Sequence, residues 1–128
     1  MPPNPEFRDR VLGLLLAFGP VQARSMFGGY GLYLDGLMFG LIAHDVLYFK
    51  VDDGNRQEYL DAGEKPFTYD GKSRPVEMSY YRVPERLFDD PGELAEWAGR
   101  AHEAARRSKI AQPPRRRTGQ RKRPGRRK

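Results

Sequence analysis

The segment Tyr30-Gly31-Leu32-Tyr33-Leu34-Asp35-Gly36-Leu37-Met38-Phe39-Gly40-Leu41-Ile42-Ala43 decides the fold. Two runs rich in apolar and aromatic residues flank Asp35-Gly36. That pair favours a two-residue type I′ hairpin, because glycine tolerates positive φ and a short acid side chain bonds locally to backbone. His44-Asp45 then offers a second tight connection into Val46–Val51, so three strands form an antiparallel meander.

Upstream, Asn4-Pro5 reads as a helix cap followed by proline at the first helical position. Phe7, Val11, Leu14, Leu15 and Phe18 recur on one helical face until Gly19-Pro20 ends the pattern. Downstream, Asp52 and Asp53 offer caps for a short helix through about Ala62, closed by Gly63. Phe67–Tyr69 and Val76–Val83 read as two strands around Asp70-Gly71-Lys72, and Pro84–Phe88 as one helical turn. Asp90-Pro91 opens a last helix, with Glu93 placed for a capping box and Leu94, Trp97, Ala98, Ala101 and Ala105 as its buried stripe. The sequence therefore predicts an α+β fold: an antiparallel sheet of about five strands flanked by helices, in the order helix, three strands, helix, two strands, helix. No internal repeat is present.

Of the 23 Lys and Arg residues, 12 lie in residues 106–128: Arg106, Arg107, Lys109, Arg115, Arg116, Arg117, Arg121, Lys122, Arg123, Arg126, Arg127 and Lys128. No acid accompanies them. The first 105 residues hold the other 11 against all 17 acids, so an acidic body precedes a basic stretch although the chain as a whole carries +6. We divide the chain into an α+β domain over 1–105 and, over 106–128, the end of the last helix and a Pro/Arg-rich tail expected to be disordered. Such a tail attracts polyanions through counterion release, without sequence preference. It has no aromatic residue to stack on a base, so nonspecific DNA or RNA is the expected partner. It has no apolar anchor, so a membrane is not. No run approaches the ~20 apolar residues of a membrane span, and the early apolar run lacks the features of a signal peptide. The expected compartment is the cytoplasm, with which the absence of cysteine agrees.

Catalytic ingredients are sparse. His44 falls in a turn and His102 on the last helix, neither at metal-ligand spacing, and both read as solvated. No serine sits in a nucleophile elbow. Asp52-Asp53-Gly54-Asn55 fails as a calcium loop, since Gln57 and Gly63 occupy the positions that require glycine and glutamate. Gly28-Gly29-Tyr30-Gly31 fails as a phosphate cradle because a strand, not a helix, follows it. The expectation is no catalytic residue, no metal and no cofactor.

Arg24-Ser25-Met26-Phe27-Gly28-Gly29-Tyr30-Gly31-Leu32-Tyr33, with Gly36–Phe39, Leu47–Val51, Pro66–Tyr69, Met78–Tyr81 and Val83-Pro84, resembles the N-terminal domain of TfoX/Sxy-type competence regulators. The resemblance covers about residues 5–105. It implies a cytoplasmic bacterial regulator linked to transcription rather than an enzyme. The implied fold has helices around a curved antiparallel sheet, as in secretion-chaperone-like folds. Full-length regulators of this kind continue into a second, helical domain, whereas here the basic tail follows, so a role in competence itself is not inherited.

Within the motif, Gly28, Gly29 and Gly31 read as shaping a bulged strand, with Met26 and Phe27 filling core. The functional counterpart makes Arg24, Met26, Phe27 and Tyr30 a surface for a protein partner of unknown identity, with self-association into a homodimer as one form. Two alternatives stand beside this regulatory and adaptor reading: a small-molecule or catalytic pocket around Arg24, Tyr30 and Tyr80, and a dedicated nucleic-acid binder whose body touches DNA.

Overall fold

Asn4 caps the first helix as its position requires: its side-chain oxygen accepts from the Glu6 and Phe7 amides at 3.0 and 3.4 Å. In the structure, a computed structural model that describes residues 4–26, 28–70 and 75–111, α1 runs over Pro5–Leu14. The turn that follows, Leu15–Ala17, tightens to a 3₁₀ helix, with the Phe18 and Gly19 amides both donating to the Leu15 carbonyl. The helix expected through Phe18 thus ends earlier, because Gly19-Pro20 stops the chain and its last carbonyls are met by the tighter turn.

Six strands follow instead of five. β1 (Gln22–Met26), β2 (Gly29–Leu34), β3 (Leu37–Ala43), β4 (Val46–Lys50), β5 (Pro66–Asp70) and β6 (Pro75–Arg82) form one antiparallel sheet in the order β1-β2-β3-β4-β6-β5. The extra strand is β1. Its sequence, Gln-Ala-Arg-Ser-Met, has no apolar alternation because it is an edge strand whose side chains are largely exposed, and backbone pairing with β2 holds it. The turns have the expected hand: Asp35 and Gly36 sit at φ 55° and 75°, His44 and Asp45 at 53° and 59°. The Asp70-Gly71-Lys72 turn falls partly outside the described residues.

α2 covers Arg56–Asp61 and α3 covers Pro91–Ala111, with a 3₁₀ segment at Glu85–Asp89 between them. Asn55, rather than Asp52 or Asp53, occupies the cap position of α2 and makes no side-chain cap bond. Its side chain is spent on the preceding loop, accepting from the Asp52 amide at 2.8 Å and donating to the Lys50 carbonyl at 3.0 Å. Asp90 does cap α3, accepting from the Glu93 amide at 3.1 Å. The reciprocal half of the capping box is absent, since the Glu93 carboxylate turns to Arg86 and the Trp97 ring nitrogen.

The helices pack on one face of the sheet. Cross-strand register places Ala23, Leu32, Gly40, Phe49 and Tyr81 on that face, with Tyr30, Ile42 and Leu47 one row along. Val11, Leu15, Tyr59, Leu87, Leu94 and Trp97 close over them. A bulge after Leu32 lets Phe39 join this core.

Gly29 lies close against β3, because a Cβ there would lie 2.0 Å from the Ile42 carbonyl oxygen. Gly29→Val should therefore lower unfolding free energy by about 3 kcal/mol, read by denaturant unfolding. Gly13→Ala, in α1 with open space around it, should raise it by about 0.5–1 kcal/mol. Equal melting of Gly29→Val and the parent chain would refute the close approach.

Candidate functional site

The motif residues part company across the sheet. Tyr30 faces the helices, is buried in the core, and has the Arg8 guanidinium 5.3 Å from its ring centroid. Arg24 pairs in register with Gly31 and faces the other way. Its exposed guanidinium lies 4.7 Å from the Tyr33 centroid. Gly31 has no Cβ because the Met26 sulfur, the Tyr33 ring and the Met38 sulfur would meet one at 2.8, 3.1 and 3.2 Å. Gly28 turns the chain at φ 78°. Phe27 lies outside the described residues. The pocket of Arg24, Tyr30 and Tyr80 is not assembled, since Tyr30 is on the opposite face from the other two. A strand precedes the glycines as well as following them, so no helix N-terminus points at the segment.

On that second face none of the described helices packs. One register row runs Arg24, Gly31, Leu41, Tyr48, Arg82. Leu41 is buried yet stands apart from the main core cluster. Beside the row, Tyr33 pairs with Met38, and Lys50 with Tyr80. The Lys50 ammonium donates to the Ser79 hydroxyl at 2.7 Å and lies 5.3 Å from the Tyr80 centroid. Partial burial lowers the Lys50 pKa, with Asp52 opposing the shift. Burial pushes the Tyr80 hydroxyl up to about 12, and the nearby Tyr33 adds to it. Tyr48 packs edge-on against Phe67 at 4.9 Å, and burial raises its pKa against the pull of Arg82.

The second basic feature is the end of α3. Arg106 and Lys109 are exposed and, with His102, Asp35 and Leu37, line a shallow cleft of about 290 Å³. Arg107 is committed elsewhere: it forks onto the Asp52 carboxylate at 2.7 and 2.8 Å. That hydrogen-bonded pair holds the Asp52 carboxyl below the usual carboxylate range, helped by the Gly54 amide. His102 is not a solvated histidine. Its Nε2 lies 2.9 Å from the Leu34 carbonyl oxygen, and its ring meets Phe18 and Phe39 edge-on. Residues 112–128, with the remaining nine basic side chains, lie outside the described residues.

A larger cleft of about 390 Å³ opens between α1, the start of β4 and the 3₁₀ segment, lined among others by Phe7, Arg10, Asp45, Arg82, Arg86 and Phe88. Arg86 is paired with Glu93 at 2.9 Å and Arg10 lies over the Phe88 ring at 5.0 Å. Its lining also carries three carboxylates, Asp45, Glu85 and Asp89. Among the described residues no group of three metal-ligating side chains comes together, and no helix is long and apolar enough to cross a membrane.

The fold and site define an α+β domain with helices on one side of a six-stranded sheet and aromatic and basic side chains on the other. The chain belongs to the TfoX N-terminal domain family, whose model matches residues 13–105. It is 28% identical over 103 residues to Protein Sxy of Escherichia coli strain K12, covering 80% of this chain and 49% of that protein. It is 26% identical over 98 residues to DNA transformation protein TfoX1 of Aliivibrio fischeri, covering 77% of this chain and 47% of that protein. The chain thus spans about half the length of these curated relatives.

The Asp52–Arg107 pair has a defined pH signature. A carboxyl whose folded pKa is depressed adds stability that is present above its unfolded pKa of about 3.9 and lost as pH falls through the folded value. Arg107→Gln should cost about 1 kcal/mol at neutral pH, as a partly exposed pair discounted for screening. The deficit against the parent chain should shrink as pH falls from about 5 to about 2. Urea unfolding at several pH values measures it, and a pH-independent deficit would show that the pair is not its source.

Proposed function

We propose that the protein is a non-enzymatic regulatory or adaptor protein linked to transcription, whose basic C-terminal region supplies nonspecific nucleic-acid affinity while its folded body engages protein. Membership of the TfoX N-terminal domain family supports the regulatory part, together with its likeness to a relative named as a DNA transformation protein. The observation that carries the nucleic-acid part is the concentration of 12 basic residues and no acid in residues 106–128. In this reading Arg106 and Lys109 extend the basic run onto the body, whereas Arg107 is engaged by Asp52 and contributes least. A cytoplasmic location and a homodimeric form of the body belong to the same proposal.

The test keeps the full chain, because α3 runs to Ala111 and a cut after residue 105 would remove both its last turns and the Asp52–Arg107 pair. Duplex DNA of unrelated sequences should bind the parent chain with equal affinity. With about six phosphates neutralised, affinity should fall on the order of 10³-fold between about 50 and about 200 mM salt. Replacing the nine Lys and Arg residues of 115–128 with glutamine should abolish most duplex binding without changing the melting temperature. Unchanged duplex affinity in that variant would refute the role of the tail.

A further inference from the structure

The acids are segregated more sharply than a count over the body shows. Of the 17 acidic residues only Asp70 and Glu77 lie in strands, and β1–β4 contain none. The other 15 lie on helices, turns and connecting segments. Arg24 and Lys50, by contrast, lie on the sheet face away from the helices, and Arg82 shares their register but pairs with Glu85 at 3.8 Å and lines the cleft beside α1. The negative charge of the body therefore lies mainly on the helical layer and the loops, and β1–β4 present Arg24 and Lys50 on a face to which they contribute no acid.

The same face carries rings. Tyr33 and Tyr48 are half-buried on it, Phe67 packs against Tyr48, and Tyr80 lies under Lys50. Two of the cations stack on two of the rings, Arg24 on Tyr33 and Lys50 on Tyr80. The row from Arg24 to Arg82 crosses five strands, hence four interstrand spacings of about 4.8 Å, or about 19 Å in all.

We propose that this helix-free sheet face is a binding site for single-stranded nucleic acid, with Tyr33 and Tyr48 stacking on bases while Arg24 and Lys50 meet phosphates. Unpaired bases present flat π-faces to rings recessed among cations, whereas a duplex keeps its bases stacked inside and offers only its backbone. An acidic peptide would satisfy the cations but leave the rings without planar partners. A second copy laid face to face would set Arg24 and Lys50 against the same cations of its partner. The proposal is independent of the tail, since it concerns side chains of the body alone.

The experiment uses the full chain with the nine basic residues of 115–128 changed to glutamine, titrated against a fluorescein-labelled oligothymidine and a duplex of equal length. The expected result is that this chain still binds the single strand and prefers it to the duplex. In that background Tyr33→Leu and Tyr48→Leu should each weaken binding about tenfold with an unchanged salt slope, whereas Arg24→Gln should weaken it and flatten the slope. Arg24→Gln alters an exposed side chain and keeps the test valid if a tyrosine variant melts early. Absence of single-strand binding in the tail-neutralised chain would overturn the proposal. So would equal affinity for duplex, displacement of the oligonucleotide by polyglutamate at equal charge, or a sedimenting dimer that Arg24→Gln dissociates. Loss of duplex binding on tail neutralisation bears on the tail alone, so the two readings fail separately.

Discussion

The packing of α3 across β3 and β4 is the constraint on which the rest of the molecule depends. Its sheet-facing stripe alternates large and small: Leu94 and Trp97 fill space, while Ala98, Ala101 and Ala105 let the helix lie close to the strands. Trp97 meets Tyr59 edge-on at 4.8 Å and Tyr59 meets Tyr81 at 5.8 Å, so one chain of rings joins α3, α2 and β6. At the other end His102 bonds the Leu34 carbonyl between the rings of Phe18 and Phe39. Because side chains alternate along a strand, committing one face to this core assigns every intervening residue to the other. The position of Arg24, Tyr33, Tyr48 and Lys50 is thus a consequence of where α3 lies.

Charge follows from the same constraint. A helix that buries one stripe must solvate the opposite side, and α1, α2 and α3 carry seven of the 17 acids, with eight more in turns, loops and the 3₁₀ segment. The sheet has no such outlet on its inner face, and its outer face takes Arg24 and Lys50, while Arg8, Arg10, Arg56, Arg86 and Arg100 share the helical layer with the acids. Helical acids lie about a helix diameter behind the sheet, comparable to the screening length of about 10 Å at 0.1 M salt. An anion approaching the sheet face therefore meets Arg24 and Lys50 first, with Asp52 beside Lys50 and Glu85 paired to Arg82 as acids close to that face. Net charge describes neither surface.

Much of this was legible in the sequence. Asp35-Gly36 and His44-Asp45 specify the meander because turn chemistry is local, and the Leu94–Ala105 stripe specifies α3 because its period is regular. β1 was not legible, because an edge strand held by backbone bonds needs no apolar pattern. Asp52 and Asp53 looked like caps, but Asp52 is claimed by Arg107, 55 positions away, a contact no local rule contains. His102 looked solvated for the same reason: its partner, the Leu34 carbonyl, is 68 positions distant. The motif was visible as a unit, yet its division into a buried Tyr30 and an exposed Arg24 required the register of β1 with β2, and β1 was the strand that went unseen.

The family match and the basic run meet end to end. The match covers residues 13–105, and the acid-free basic stretch begins at Arg106. The family match is therefore to the domain that carries the Arg24–Tyr33 motif and the aromatic sheet face, and it stops where the basic stretch begins. Any inference for the tail must rest on its own charge, while an inference for the sheet face concerns residues inside the shared domain. The border itself lies inside α3, and Arg107, two residues past the match, pairs with Asp52 in the loop that follows β4, so the start of the basic run is held to the body by a contact of its own.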